Sequence, residues 1–160
     1  DLAATKYFPV LQFSALRLHA KLGVVDQTSG DPVAIFDRYF AGGGNSFRGF
    51  DWREISPVDE LEDPLGGQSL FLGTVEYIHT FAAVSKFLRG SVFCDVGNVW
   101  RDAYEWDSEI NASVGVGIEV SIPVGAGTIP IRLDYGIPIM TQEDHLSTGG
   151  RLHFNFGYHY

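Results

Sequence analysis

The sequence predicts an all-β protein, an antiparallel transmembrane β-barrel, on three observations. Apolar and polar residues alternate in segments of about 9 to 11 residues, the length that a tilted membrane-spanning strand requires. Apolar residues make up 45% of the chain and aromatic residues 14%, whereas charged residues make up only 19%, an unusual balance for a water-exposed surface. No apolar run approaches the roughly 20 residues that a membrane-spanning helix needs, so strands are the favoured membrane-spanning element.

About seven strands account for the alternation. They are expected at 2–8, 11–22, 69–81, 87–100, 111–122, 128–139 and 150–160. In the second strand, Arg17, His19 and Lys21 alternate with apolar residues, so one face of this strand is charged and the other apolar. Pro9 and Val10 are predicted to form the turn that joins it to a truncated first strand.

A soluble antiparallel sandwich is the alternative fold, with its apolar faces packed inward and its polar faces outward. The terminal strand argues against it. Phe154, Phe156, Tyr158 and Tyr160 alternate with polar residues and glycine there, and such a run is rare at the end of a sandwich. The barrel is therefore the preferred interpretation.

The connections between the predicted strands differ greatly in length. Short ones at 82–86 and 125–128 alternate with longer ones at 102–108 and 141–148, as in barrels with short periplasmic turns and longer outer loops. The connection 26–68 is far longer than the others, and a loop of that size is usually functional or disordered. Because it is rich in Phe, Tyr and Trp, it is too aromatic for disorder and is expected to fold onto the barrel.

Several motifs follow one another in a fixed order. An aromatic and glycine-rich segment, 36–50, ends in Phe47-Arg48-Gly49-Phe50, and the segments 74–77, 92–100, 132–139 and 150–160 come after it. In this order they closely resemble the motifs of the Omp85 superfamily, whose members insert proteins into outer membranes or translocate them. Phe47 stands where the family usually has Val or Ile.

The resemblance implies that the long loop 26–68 threads into the barrel lumen, where Arg48 at its tip meets acidic residues of the inner wall. Strand parity puts Glu76 on one face with Thr74, and Asp95 on the face opposite Cys94, so both carboxylates can point into the lumen. An arginine fork can bind a carboxylate through two hydrogen bonds. The residue after it in the tip, Gly49, would permit a close approach of the backbone.

The terminal strand carries a second candidate feature. Phe154, Phe156, Tyr158 and Tyr160 resemble the signal by which outer-membrane proteins are themselves recognised for insertion. The simpler alternative is a lipid-facing strand with aromatic residues at the membrane interface. The resemblance further implies that this strand forms a seam with the first strand of the barrel, and Gly157 would weaken or kink it.

The function that the resemblance implies is non-enzymatic: a membrane-embedded barrel that helps to fold and insert β-barrel proteins, without a bound cofactor. Its expected partners are outer-membrane lipid, unfolded outer-membrane proteins and accessory assembly lipoproteins. Its expected location is the outer membrane of a Gram-negative-type envelope, rather than that of an organelle. Three alternatives stay open: a two-partner secretion translocator, the barrel portion of a patatin-like lipase fusion, and an outer-membrane enzyme barrel.

Other classes of site have little support. The net charge of −9 argues against binding to nucleic acid. His153 and His159 would lie about 20 Å apart along a strand, too far to share one metal ion, and the acidic run 59–63 lacks a calcium-loop pattern. Seven strands are also fewer than the roughly sixteen of a family barrel. Residues 1–160 are thus expected to be the C-terminal part of the barrel, with upstream strands and any POTRA domains outside this chain.

Overall fold

The computed structural model describes residues 1–27, 32–125, 127–142 and 145–157. Seven strands form a single antiparallel sheet in which each strand pairs with its neighbours in the chain. The strands are β1 Leu2–Leu11, β2 Ser14–Val24, β3 Ser69–Thr80, β4 Leu88–Trp100, β5 Asn111–Val124, β6 Gly127–Met140 and β7 Arg151–Phe156. The predicted all-β antiparallel class is confirmed, and closure of the sheet into a barrel stays a prediction.

One short 3-10 helix, Ile35–Asp37, lies in the connection between β2 and β3. In the described parts of the chain, no helix has both the length and the apolar character needed to cross a membrane. The prediction for the terminal strand extended to residue 160, and its last three residues lie outside the described residues.

The predicted turn at Pro9 and Val10 is wrong. β1 continues through both residues to Leu11, and Phe13, at a φ of 67°, takes part in the turn instead. The pairing of β1 with β2 shifts register between Pro9 and Leu11. Proline has no N–H for a ladder, but β1 lies at the edge of the described sheet, and an edge strand tolerates proline, especially beside an irregularity.

The two faces of the sheet differ in chemistry, as the alternation predicts. On β5, the outward side chains are apolar and exposed, among them Val116 at 56%. The inward side chains of the same strand are small or polar, and Asn111 and Ser113 are buried. All four carboxylates in the described strands, Glu76, Asp95, Glu119 and Asp134, lie on this inward side.

The two ends of the sheet also differ. The short connections from β1 to β2, from β3 to β4 and from β5 to β6 lie at one end, which we call the short-turn end. The longer connections from β2 to β3, from β4 to β5 and from β6 to β7 lie at the other, the long-loop end. The predicted asymmetry of the connections is therefore confirmed.

The described residues of the long loop between β2 and β3, 25–27 and 32–68, fold back against the inward face, and the apolar core lies between that loop and the sheet. Eight buried residues form this core: Ala41, Phe47, Phe50, Ile55, Leu70, Leu72, Val99 and Leu146. Phe47 and Phe50 pack edge to face, with ring centroids 5.2 Å apart. Two backbone bridges, Tyr39 with Gly67 and Ala41 with Ile55, hold the arms of the loop together. Two of the loop aromatics that argued against disorder, Phe47 and Phe50, thus belong to the core, whereas Phe36 and Trp52 are largely exposed.

Candidate functional site

A tight turn presents Arg48 at the tip of the long loop. The Gly43 N–H donates to Phe50 O at 3.0 Å, and the Phe47 N–H donates to Gly43 O at 3.1 Å. The side chains of Phe47 and Phe50, on either side of the Arg48-Gly49 pair, are fully buried in the core. Because these anchors hold both sides of the turn, the arginine between them is directed at the inner wall of the sheet.

The guanidinium of Arg48 bridges two strands. Its Nε and Nη2 donate to the two carboxylate oxygens of Asp95, each at 2.8 Å, and its Nη1 donates to Glu76 Oε1 at 3.0 Å. Its carbon lies 3.5 Å from the centroid of the Phe93 ring. Arg48 is 5% exposed, Asp95 2% and Glu76 0%, so the structure brings together the three charged residues that the sequence analysis singled out.

Strand register explains this geometry. Glu76 on β3 is paired with Phe93 on β4, and Asp95 is paired with Thr74. The two carboxylates therefore lie diagonally, and the Phe93 ring occupies the corner between them. A planar guanidinium can stack on that ring while its edges reach both carboxylates, an arrangement that a lysine ammonium cannot reproduce.

The charge state of Arg48 follows from its partners. Burial by itself would lower the pKa of Arg48, but the hydrogen bonds that Arg48 donates to Asp95 and the negative charges of Asp95 and Glu76 outweigh burial and raise the pKa above its ordinary value. The side chain is therefore a permanent cation. A buried cation of this kind is stable only as long as its counter-ions stay in place.

Two further arginines surround Glu76. Arg132 on β6 contacts Glu76 and holds Asp134, with its Nε 2.7 Å from Asp134 Oδ2. Arg17 on β2 lies 3.0 Å from Glu76 Oε2 through its Nε, an ion pair without hydrogen-bond geometry. Together with Arg48 and Asp95, the cluster contains three arginines and three carboxylates, so its formal charges balance.

Sequence reasoning did not assign Arg17, Arg132, Asp134 or Phe93 to this site. Each of them occupies an inward position of its strand, and parity could have listed them as lumen-facing. Parity does not show which inward residues of different strands are neighbours, because that depends on the register between strands.

The backbone of the tip is held as well. The Arg48 N–H donates to Asp95 Oδ2 at 3.2 Å, and the Ser113 hydroxyl donates to Arg48 O. Gly49 has a φ of 91°, and its N–H donates to His153 Nε2 at 2.9 Å. A Cβ on Gly49 would lie 3.0 Å from Ser113 Cβ and 3.3 Å from the backbone of Gly136. Only glycine suits both this φ and this close approach.

The terminal strand β7 contacts the long loop through its inward side chains. Arg151 Nε donates to Asp51 Oδ1 at 2.9 Å, His153 accepts from Gly49, and Asn155 Nδ2 donates to Gly44 O at 3.4 Å. All three inward residues of the strand therefore bond to one loop. In the sequence, His153 was only a weak candidate for a metal site, and the contact of its ring with the loop could not be predicted from strand parity.

The outward residues of the terminal strand are placed differently. Phe154 and Phe156 are 66% and 61% exposed and do not take part in the Arg48 cluster. Gly157 has a φ of 92°, and its N–H donates to Pro130 O at 2.9 Å. Tyr158 and Tyr160 lie outside the described residues.

No group of three or more His, Cys, Asp or Glu side chains in the described ranges is arranged to hold a metal ion. In the acidic run 59–63, Asp59 Oδ1 accepts hydrogen bonds from the N–H groups of Leu61 and Asp63. The run thus forms a turn closed by its own carboxylate.

Comparisons with known proteins match this fold over nearly the whole chain. The model of the Omp85 superfamily domain matches residues 1–160. The crystal structure of BamA from Haemophilus ducreyi lacking POTRA domains 1–3 has a TM-score of 0.79 at 21% identity, and the match covers 97% of this chain and 34% of that one. The resemblance to that structure is one of fold.

Two curated relatives are similar in sequence. Outer membrane protein assembly factor BamA of Nitratidesulfovibrio vulgaris is 32% identical over 162 residues, which cover 93% of this chain and 20% of the relative. A SAM50-like protein of Schizosaccharomyces pombe is 26% identical over 153 residues, which cover 89% of this chain and 30% of the relative. The chain therefore spans a fifth to about a third of the length of these three proteins.

Proposed function

Because the chain belongs to the Omp85 superfamily, we propose that it forms the C-terminal part of the barrel of an outer-membrane protein assembly factor. The relatives are named as assembly factors or as SAM50-like. The segment is an outer-membrane one, and its exposed apolar side chains, such as Val116 and Phe154, face outward, as contact with lipid requires. The upstream strands and any POTRA domains belong to the part of the protein outside this chain.

The single observation that carries the proposal is the docking of Arg48 onto Glu76, Asp95 and Phe93. A soluble loop arginine would be hydrated, whereas this one is 5% exposed and bonded to two strands. Removing one partner from such a buried pair typically costs about 3 to 5 kcal/mol. The tip of the loop therefore acts as a lock that holds loop 26–68 inside the lumen and keeps the wall of β3 to β6 in one arrangement.

The second part of the proposal concerns the terminal strand. Since Arg151, His153 and Asn155 all bond to the long loop, the loop holds β7 in place from the lumen side. β7 has only six residues and, within the described sheet, pairs with β6 alone. A docked loop would keep this strand closed, and a displaced loop would release it to admit a substrate strand. Gly157, at a φ of 92°, would let the strand bend where it opens.

The proposed partners are unfolded outer-membrane proteins, accessory assembly lipoproteins and outer-membrane lipid. The proposed mechanism forms and breaks only hydrogen bonds and ion pairs, so it calls for no cofactor and no covalent step. The protein's own insertion would use a recognition signal in the terminal strand. This signal would consist of Phe154 and Phe156, followed in the sequence by Tyr158 and Tyr160.

The test is reconstitution of the full-length protein in phospholipid vesicles. An unfolded outer-membrane β-barrel is added from urea, and its folding is followed by its heat-modifiable migration on a gel. We expect folding to be accelerated over empty vesicles and an Arg48→Ala variant to lose the acceleration, while Arg101→Ala, an exposed change at the long-loop end, retains it. Equal folding with and without the protein would refute the assembly role. Export of a passenger into the vesicle without insertion would instead indicate a two-partner secretion translocator.

A further inference from the structure

Charge is distributed very unequally between the two ends of the sheet. The connections of the long-loop end contain most of the described carboxylates: Asp26, Asp37, Asp51, Glu54, Asp59, Glu60, Glu62, Asp63, Asp102, Glu105, Asp107 and Glu109. The described residues of the short turns include no acidic residue, and one of them is Lys86. The net charge of −9 is therefore concentrated at the long-loop end, and the short-turn end is locally cationic.

The outward face of the sheet contains very few charged or ionisable side chains. All four carboxylates of the described strands face inward, as do most of the strand cations: Arg17, Lys21, Arg89, Arg132 and Arg151. The exceptions among the described strand residues are Lys6 on β1 and His79 on β3, whose partners Leu18 and Ser14 belong to the outward set. Basic groups on an apolar, lipid-facing surface are costly unless they find a partner or reach the interface.

His79 belongs to a small hydrogen-bonded group on this face. Its Nδ1 lies 2.7 Å from Ser14 Oγ, and the Tyr77 hydroxyl donates to the same Ser14 oxygen at 2.9 Å. The Phe81 ring packs edge to face on the imidazole, with centroids 5.1 Å apart. Among the residues that the structure describes, the other ring nitrogen of His79 has no hydrogen-bond partner. That nitrogen is available to a ligand from outside the chain.

Lys6 reaches towards the same end of the sheet. Its ammonium lies 5.0 Å from the centroid of the Phe8 ring, and Phe8 is nearer to the short-turn end of β1 than Lys6 is. The side chain therefore extends towards the membrane interface, as lysine side chains in membrane proteins do. Lys6 is aligned through Leu18 with Val75, and Ser14 is paired with His79. The backbones of Lys6 and His79 are therefore two strands, about 10 Å, and four residues, about 13 Å, apart in the sheet, and the lysine side chain covers part of that distance.

We propose that Lys6, Ser14, Tyr77 and His79, here called the outward polar group, bind the headgroup of an anionic phospholipid in the leaflet at the short-turn end, with His79 at the phosphate and Lys6 at the side of the headgroup nearer to β1. The ammonium of Lys6 supplies charge, the free nitrogen of His79 supplies a hydrogen bond, and Ser14 and Tyr77 orient the imidazole. The acyl chains would lie along the apolar outward residues of β2 and β3, such as Leu18 and Val75. An anionic lipid fits because the outward face of the described strands carries no competing carboxylate.

A hydrolytic role for the Ser14-His79 pair fits less well. A serine nucleophile is activated by a base that a third group orients, and the described contacts of His79 are with Ser14 and Phe81 only. The pair lies on the lipid side, where a headgroup can approach it. Binding without bond cleavage is the chemistry that these groups support.

Lipid binding by the outward polar group depends on the outer-membrane location and not on the assembly activity. An experiment can therefore contradict lipid binding without contradicting the assembly function, and the reverse. The full-length protein is placed in nanodiscs of phosphatidylcholine with a minor fraction of phosphatidylglycerol, and the lipids that it retains after extraction are counted by native mass spectrometry. We expect phosphatidylglycerol to be enriched over the bulk. A variant with Lys6→Gln and His79→Phe should lose about tenfold in this preference, equal to about 1.4 kcal/mol.

Tyr135→Phe is the matched control, because it removes one polar atom from the outward face of β6, away from the outward polar group. It should retain the preference of the wild type. Heat-modifiable migration verifies that each variant is folded, and Ser14→Ala provides a milder change in case the double variant does not fold. The proposal is overturned if wild type shows no enrichment, or if folded variants of the group keep it in full.

Discussion

The backbones of Gly49 and Gly136 are in direct contact, where the tip of the long loop meets strand β6. A Cβ on Gly136 would lie 2.6 Å from the nitrogen of Gly49 and 2.8 Å from its Cα. The N–H of Gly49 points past this contact to His153 Nε2 at 2.9 Å. The loop therefore reaches the inner wall only because neither residue has a side chain, and this contact places Arg48 within reach of Asp95.

Gly136→Ala is expected to push the tip away from β6, because the new methyl group would meet backbone atoms that cannot rotate aside. Overpacking of this kind costs about 1 to 3 kcal/mol. The bond after Arg48, which is now buried, should become accessible to trypsin in the folded full-length protein. Mass spectrometry of the fragments measures the cleavage. Gly127→Ala, in open space at the β5–β6 turn, is the control and should resist trypsin like the wild type.

Arg48→Lys is expected to disable the lock almost as fully as Arg48→Ala. A lysine ammonium is a point charge and cannot pair with Asp95 and Glu76 while stacking on Phe93. The free energy of unfolding, measured in urea on the full-length protein in micelles, should fall by about 2 kcal/mol or more, towards the range for a broken buried pair. Arg101→Lys, an exposed change, should stay within about 0.5 kcal/mol of wild type. If Arg48→Lys has the same free energy of unfolding as the wild type, a positive charge at this position is sufficient and the shape of the guanidinium is not required.

Asp95 and Glu76 should respond in opposite ways when Arg48 is absent. Arg48 is the arginine that pairs with Asp95, whereas Glu76 also contacts Arg132 and Arg17. In an Arg48→Ala background, Asp95→Asn removes a stranded charge and should recover about 1 to 3 kcal/mol. Glu76→Gln should destabilise the same background further, because it takes a counter-ion from two arginines. A double-mutant cycle on the free energy of unfolding tests this, and equal effects of the two changes would contradict it.

Coupling between the loop and the terminal strand can be measured on β7 itself. His153→Phe keeps an aromatic ring but leaves the N–H of Gly49 without its acceptor, at a cost of about 1 to 3 kcal/mol. Amide hydrogens in 151–157 should then exchange with solvent about tenfold faster, as expected for a loss of about 1.4 kcal/mol. Phe154→Leu alters an outward residue of the same strand and should leave the exchange rates of these amide hydrogens unchanged. If His153→Phe also leaves these rates unchanged, the loop does not stabilise the strand.

The sequence by itself determined the class of fold and the face on which each strand residue lies. Side chains in a strand alternate with a period of two, so parity alone assigns Glu76 and Asp95 to the inward face. The aromatic composition of 26–68 similarly predicts a loop that folds onto something, and its Phe47 and Phe50 are indeed in the core. These are local properties, which a single strand or loop carries whatever its neighbours are.

Only the tertiary structure decided which inward residues meet. Register places Phe93 opposite Glu76 and Asp95 opposite Thr74, and this diagonal lets one guanidinium reach both carboxylates. It also brings Arg132, far away in the sequence, onto Glu76. Pro9 is a second example: its preference for turns predicted a turn, but in the structure it pairs within the edge strand β1. Alternation specifies the face on which a residue lies, but it does not specify the register of one strand against the next. The turns, the packing of the loop and backbone contacts such as that of Gly49 with Gly136 determine the register.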